Sequence, residues 1–128
     1  MTKRGDAVAA RARRLVGVRF RPQGRGRETG LDCVGLVAAA LRVRCVRSDY
    51  ALRGGSLDEL EAALRTARLT RIDVVRPGDV LVLKAGPGQL HLAVATEGGF
   101  VHAHAGLGKV VETPGAPEWP LLGIWRKS

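Results

Sequence analysis

Aromatic side chains are scarce in this 128-residue chain: two Trp, one Tyr and two Phe make up 4% of it. Only Phe20 lies among the early arginines, so the stacking platforms typical of nucleic-acid binders are missing and no nucleic-acid partner is expected. No run approaches the roughly 20 apolar residues of a membrane span. The opening M-T-K-R-G-D-A-V-A-A-R-A-R-R is charged without an apolar block, so no export signal is expected and synthesis in the cytoplasm is. Acidic residues are few as well, 12 against 21 Lys plus Arg, and the net charge of +9 calls for an anionic partner. A membrane surface and an acidic cell-wall polymer are the other candidates for such a partner, and the plainer reading of the charge is an Arg-rich solvated face.

What is present suits one small folded domain spanning 1–128. Hydrophobic residues reach 45%, enough for a core, and this excludes a disordered tail protein. The 17 Gly and 6 Pro announce many turns. The two cysteines, Cys33 and Cys45, are 12 positions apart. The residues between them read as helix, which would separate them by about 18 Å, whereas bridged Cα atoms lie within about 7 Å. Two free thiols are expected.

Helices come first. Asp6 reads as the N-cap of a helix over 7–15, with Val8, Ala12, Leu15 and Val16 as its apolar stripe and Gly17 as its stop. Residues 18–30 form a loop rich in Gly and Arg. A second helix, apolar almost all round, is expected over 33–46 as the buried centre of the domain. Ser56 and Glu59 make a capping box for a third helix that ends near Ala67. The second half holds short runs between Gly and Pro turns, at 72–75, 80–83, 90–96, 100–104, 110–112 and 121–125. Short links favour antiparallel hairpins, so the fold class is α+β.

Two groups of residues could carry chemistry. Cys33 would occupy the first turn of the central helix, where unpaired backbone N–H groups lower a thiol pKa and could also hold an oxyanion. The plainer reading of a lone cysteine in an apolar run is a small core residue, and for Cys45 that reading stands. His91, His102 and His104 are all the histidines in the chain and fall on adjacent strands. A two-residue turn at Glu97-Gly98 would pair 91 with 104 and 93 with 102, placing all three rings on one face. A thiol at a helix start, followed by an imidazole and then a second polar group to orient it, is the order of roles in a cysteine hydrolase. Zinc held by Cys33, His91, His102 and His104 is the competing use of the same atoms.

Four segments carry a resemblance to the NlpC family of papain-like cell-wall cysteine peptidases. Gly17-Val18-Arg19-Phe20 resembles the family's entry element, and Asp32-Cys33-Val34-Gly35-Leu36 its nucleophile motif. Pro77-Gly78-Asp79-Val80 resembles its strand opening. His91-Leu92-Ala93-Val94-Ala95 with Val101-His102-Ala103 resembles its two histidine strands. The resemblance implies Cys33 as nucleophile, His91 as general base and acid, and His102 as the orienting group. It also implies substrate contacts at Asp32 and Phe20, with Asp32 doubling as a helix cap. No metal and no cofactor are implied, and His104 has no counterpart.

The implied fold is a central helix packed on an antiparallel sheet of about five or six strands. The implied reaction is cleavage of an amide in the peptidoglycan stem peptide, usually γ-D-glutamyl-diaminopimelate. Val34, Arg19 and Phe20 replace the family's usual Ser, Pro and Tyr, which bears on substrate contacts rather than on the catalytic set. The stretch V-G-V-R-F-R-P-Q-G-R is most similar to the short phage or gene-transfer-agent branch, which implies delivery to the wall by a particle or by lysis and partners among tail proteins. A non-catalytic tail or wall-binding protein of the same fold, and an amidase or acyltransferase on another amide, are the alternatives.

Overall fold

The computed structural model describes residues 3–43 and 56–127. Cys45, and with it the question of its pairing, lies outside the described residues.

Helix α1 is Lys3–Arg14, longer at its start than the capping signal indicated. Asp6 therefore sits in the first turn rather than at the cap, where its carboxylate still complements the helix dipole. Val8, Ala9 and Ala12 are buried. Val16 lies beyond the last turn and is 43% exposed, so it is not part of the stripe. Gly17 turns the chain at φ 97°.

The segment expected to be plain loop contains a two-residue ladder, β1 (Arg25–Gly26) with β2 (Gly30–Leu31). It leads into α2 (Cys33–Leu41), which stops well short of residue 46. Arg42 takes the left-handed conformation at φ 57°, its N–H bonds Ala39 O, and the Val43 N–H bonds Ala38 O. This helix-ending turn usually carries glycine, and an arginine there leaves no mark in the sequence. α3 is Leu57–Thr66, capped by the Ser56 hydroxyl as expected.

Six strands follow: β3 (Leu69–Ile72), β4 (Val80–Gly86), β5 (Gln89–Thr96), β6 (Gly99–His104), β7 (Lys109–Pro114) and β8 (Leu121–Lys127). They form one antiparallel sheet in the order β3-β8-β4-β5-β6-β7. The strand expected at 72–75 lies at Leu69–Ile72 instead, and Val74 is 70% exposed. Only Leu69 of β3 is fully buried, so its polar middle hid it while the exposed valines imitated a strand.

The helices pack on one face, where Val8, Leu36, Val37 and Ala40 meet Val82, Leu92, Val94 and Val101. The other face is a smaller cluster of Leu81, Leu83, Ala93, Ala95, Phe100 and Ile124 against Trp119. Among the described residues no helix is long and apolar enough to cross a membrane.

The pairing of β5 with β6 positions the site. Thr96 faces Gly99, Ala95 faces Phe100 and Val94 faces Val101, the register that a two-residue turn requires. It then stops. Residues 89–93 remain paired to β4, and residues 102–104 to β7, but not to each other. The sheet is thus split at one end, between the strands that carry the histidines.

Candidate active site

The start of α2 is built around Asp32. Its carboxylate caps the helix by accepting from the Gly35 N–H at 2.9 Å, and it accepts the Gln23 N–H at 3.0 Å. It also forms a 2.8 Å ion pair with Arg25. Gly35 lets the loop lie on the helix, because a Cβ there would come within 2.2 Å of Gly24 O. Asp32 is therefore a cap and a brace for the preceding loop.

Cys33 follows on the first helical turn, 5% exposed, with a free thiol. Its sulfur lies against the Leu92 backbone N–H, on β5 where that strand has no β6 partner. The expected lowering of its pKa does not occur. Burial pushes the thiol up to about 12, the Asp32 carboxylate adds to this, and Arg25 with the Leu92 and Cys33 backbone N–H groups offsets only part. Desolvation of a thiolate outweighs the helix terminus when the sulfur is this deep.

His91 Nε2 and His102 Nδ1 face each other at 3.0 Å. The two rings are edge to face at a centroid separation of 5.2 Å, and Trp119 stands edge-on to both. Thr113 Oγ1 is 3.5 Å from His102 Nε2, too long for a strong bond. Burial holds both imidazoles down at about pKa 4, with His102 and then His104 adding to the effect on His91, and His104 adding to that on His102. Both are neutral at pH 7. With one nitrogen of His91 engaged by His102, Nδ1 is the nitrogen left for another partner.

These groups share one cleft of about 710 Å³, lined by Phe20, Gln23, Asp32, Cys33, Gln89, His91, His102, His104 and Trp119, among others. All five residues singled out from the sequence as catalytic or substrate-binding are brought together there. His104 joins them. Trp119, Gln23 and Gln89 were missed, since none stands in a motif and Trp119 arrives from the Pro-rich loop before β8. Arg19 and Arg21 flank Phe20 in sequence and are exposed, while Arg25 is turned inward onto Asp32.

The zinc alternative is not supported. Among the described residues no group of three or more His, Cys, Asp or Glu side chains is arranged to hold a metal ion.

No protein-family model matches the sequence, and no curated protein matches it significantly. Solved structures do. The NlpC/p60 domain of the peptidoglycan hydrolase SagA is 23% identical, with a TM-score of 0.61, over 86% of this chain and 88% of that one. RipD of Mycobacterium tuberculosis, described as a non-catalytic NlpC/p60 domain protein adapted to peptidoglycan binding, is 18% identical with a TM-score of 0.62 over 98% of both chains. The peptidoglycan hydrolase RipB of the same organism is 23% identical with a TM-score of 0.61, over 97% of this chain and 64% of that one. The chain has the NlpC/p60 α+β fold.

Proposed function

We propose that this protein is a cysteine endopeptidase that cuts an amide of the peptidoglycan stem peptide, with Cys33, His91 and His102 as its catalytic groups. The observation that carries the reading is the 3.0 Å contact between His91 Nε2 and His102 Nδ1 in the cleft that also contains Cys33. His102 holds the His91 ring with Nδ1 available to the thiol. The Cys33 proton passes to His91 Nδ1 as the sulfur bonds to the amide carbon, and the carbonyl electrons move onto oxygen. N–H groups at the start of α2 stabilise that oxyanion. The imidazolium then gives its proton to the leaving amine as the C–N bond breaks, and water hydrolyses the resulting thioester through the same base.

Because the thiol and imidazoles are neutral at rest, substrate binding must precede or accompany proton transfer. The net positive charge and the exposed Arg19 and Arg21 suit a polymer with free carboxylates. The γ-D-glutamyl-diaminopimelate bond is the one favoured by the motif resemblance. That likeness in 16–25 also favours delivery by a phage-like particle or by lysis, tested by probing purified particles for this chain.

The depth of Cys33 and its high thiol pKa favour a second reading, a wall-binding protein without catalysis, and RipD offers that precedent on the same fold. Incubating the protein and its Cys33→Ala variant with peptidoglycan and soluble stem peptides, with products read by mass spectrometry, separates the two. A new peptide pair from the unaltered protein alone supports the peptidase. Tight wall binding by both proteins without products supports the binder.

A further inference from the structure

The third imidazole of the cleft has a different environment from the other two. His104 ends β6 with its ring centroid 5.5 Å from that of His102. Its Nδ1 accepts a 3.0 Å hydrogen bond from the Leu107 backbone N–H. A backbone amide can only donate, so Nδ1 carries no proton while this bond stands, and the neutral ring bears its proton on Nε2. The Nδ1 and Cε1 edge is packed on the turn that follows, since a Cβ at Gly106 would lie 3.0 Å from Cε1 and 3.4 Å from Nδ1. Among the described residues, His104 Nε2 has no hydrogen-bond partner.

The cleft therefore contains an N–H donor whose tautomer is set by the backbone. Its one acidic lining residue, Asp32, is already matched by Arg25 and two backbone N–H groups. A carboxylate entering the cleft meets no uncompensated negative charge.

We propose that His104 is a specificity-determining residue, whose Nε2–H recognises a carboxylate on the bound peptide beside the bond to be cut. This rests on the peptidase reading and names the chemistry of one substrate group. A neutral donor to a carboxylate is a charge-assisted bond, which an amide in the same place does not reproduce.

The test uses the Cys33→Ala protein and two synthetic stem peptides that differ only in whether the diamino acid's side-chain carboxyl is free or amidated, with affinities from calorimetry. Amidation is expected to weaken binding roughly tenfold or more. In Cys33→Ala/His104→Asn, where the Asn oxygen can keep the Leu107 contact, discrimination should fall below about twofold, and Gln at 104 should restore most of it because its amide nitrogen reaches the place of Nε2. In the active protein, His104→Asn should raise KM by more than it lowers kcat.

Equal affinity for the two peptides, unchanged discrimination in the Asn variant, or a ¹⁵N spectrum with the His104 proton on Nδ1 would overturn the inference. If the active protein cleaves stem peptides yet ignores amidation, only this inference falls. If it cleaves neither peptide and the Cys33→Ala protein binds neither, the peptidase reading falls and takes the inference with it.

Discussion

His91 and His102 meet through Nε2 and Nδ1 at 3.0 Å from two strands that do not pair at that level. The end of the β5–β6 ladder at Val94 and Val101 has two consequences. It leaves the Leu92 N–H to the Cys33 sulfur, and it lets imidazoles from the far face of the sheet share a cleft with a thiol from the helix side.

If His102 orients His91, its loss harms turnover more than folding. His102→Ala should lower kcat by about 10²- to 10³-fold, with partial recovery in His102→Asn or His102→Gln, which can still reach His91. Steady-state kinetics beside thermal unfolding checks this. A uniform loss in all three variants that tracks unfolding would assign His102 to packing alone.

The depressed imidazoles give a direction to pH dependence. Their ordinary pKa of 6.5 falls to about 4 in the folded protein, so between those values the unfolded chain binds more protons. Stability is then full above pH 6.5 and declines as pH falls toward 4, by about 1.4 kcal/mol for each unit that one pKa is depressed. Chemical denaturation at pH 7, 5.5 and 4.5 should show this fall, and a flat profile would contradict it. The acid limb of kcat/KM should likewise lie below pH 6.

The thiol has the opposite signature. With its pKa raised to about 12, Cys33 should react with iodoacetamide at pH 7 far more slowly in the folded protein than in denaturant. Mapping the modified residue by mass spectrometry checks it. Rapid labelling of folded Cys33 at neutral pH would mean that the helix terminus and Arg25 outweigh burial.

Much of this was legible in the sequence because the informative residues act locally. Asp32 before an apolar run announces a helix start, Ser56 with Glu59 announces another, and the Glu97-Gly98 turn sets the β5–β6 register. What was hidden depends on tertiary context. The end of α2 rests on an arginine in a glycine's conformation, β3 is anchored by Leu69 alone, and the thiol's pKa is governed by depth rather than by the helix terminus. Trp119 reaches the cleft from the Pro-rich loop before β8, with no helical or strand period.

Asp32 and Gly35 hold the loop that forms one side of the cleft. Asp32→Ala removes a cap, a loop contact and the Arg25 partner together, and should cost about 2–3 kcal/mol. Gly35→Ala should cost a similar amount, since its Cβ would meet a backbone oxygen rather than a flexible side chain. Urea denaturation gives both values, and a change under about 0.5 kcal/mol in either would remove that residue from the account.

Charge reversal of Arg19 and Arg21 should weaken sedimentation with peptidoglycan at low salt and flatten its salt dependence. Arg25 is left out of this test because it serves Asp32. Unchanged salt-dependent binding would place the wall contact elsewhere on the molecule.

The most direct measurement is acid quenching of the protein during its reaction with a stem peptide, followed by intact mass and peptide mapping. The account predicts an acyl adduct on Cys33 that forms and decays with turnover and is absent from His91→Ala. Cleavage that continues in Cys33→Ala, or that proceeds without any adduct while a slow-turnover substrate is in excess, would contradict it.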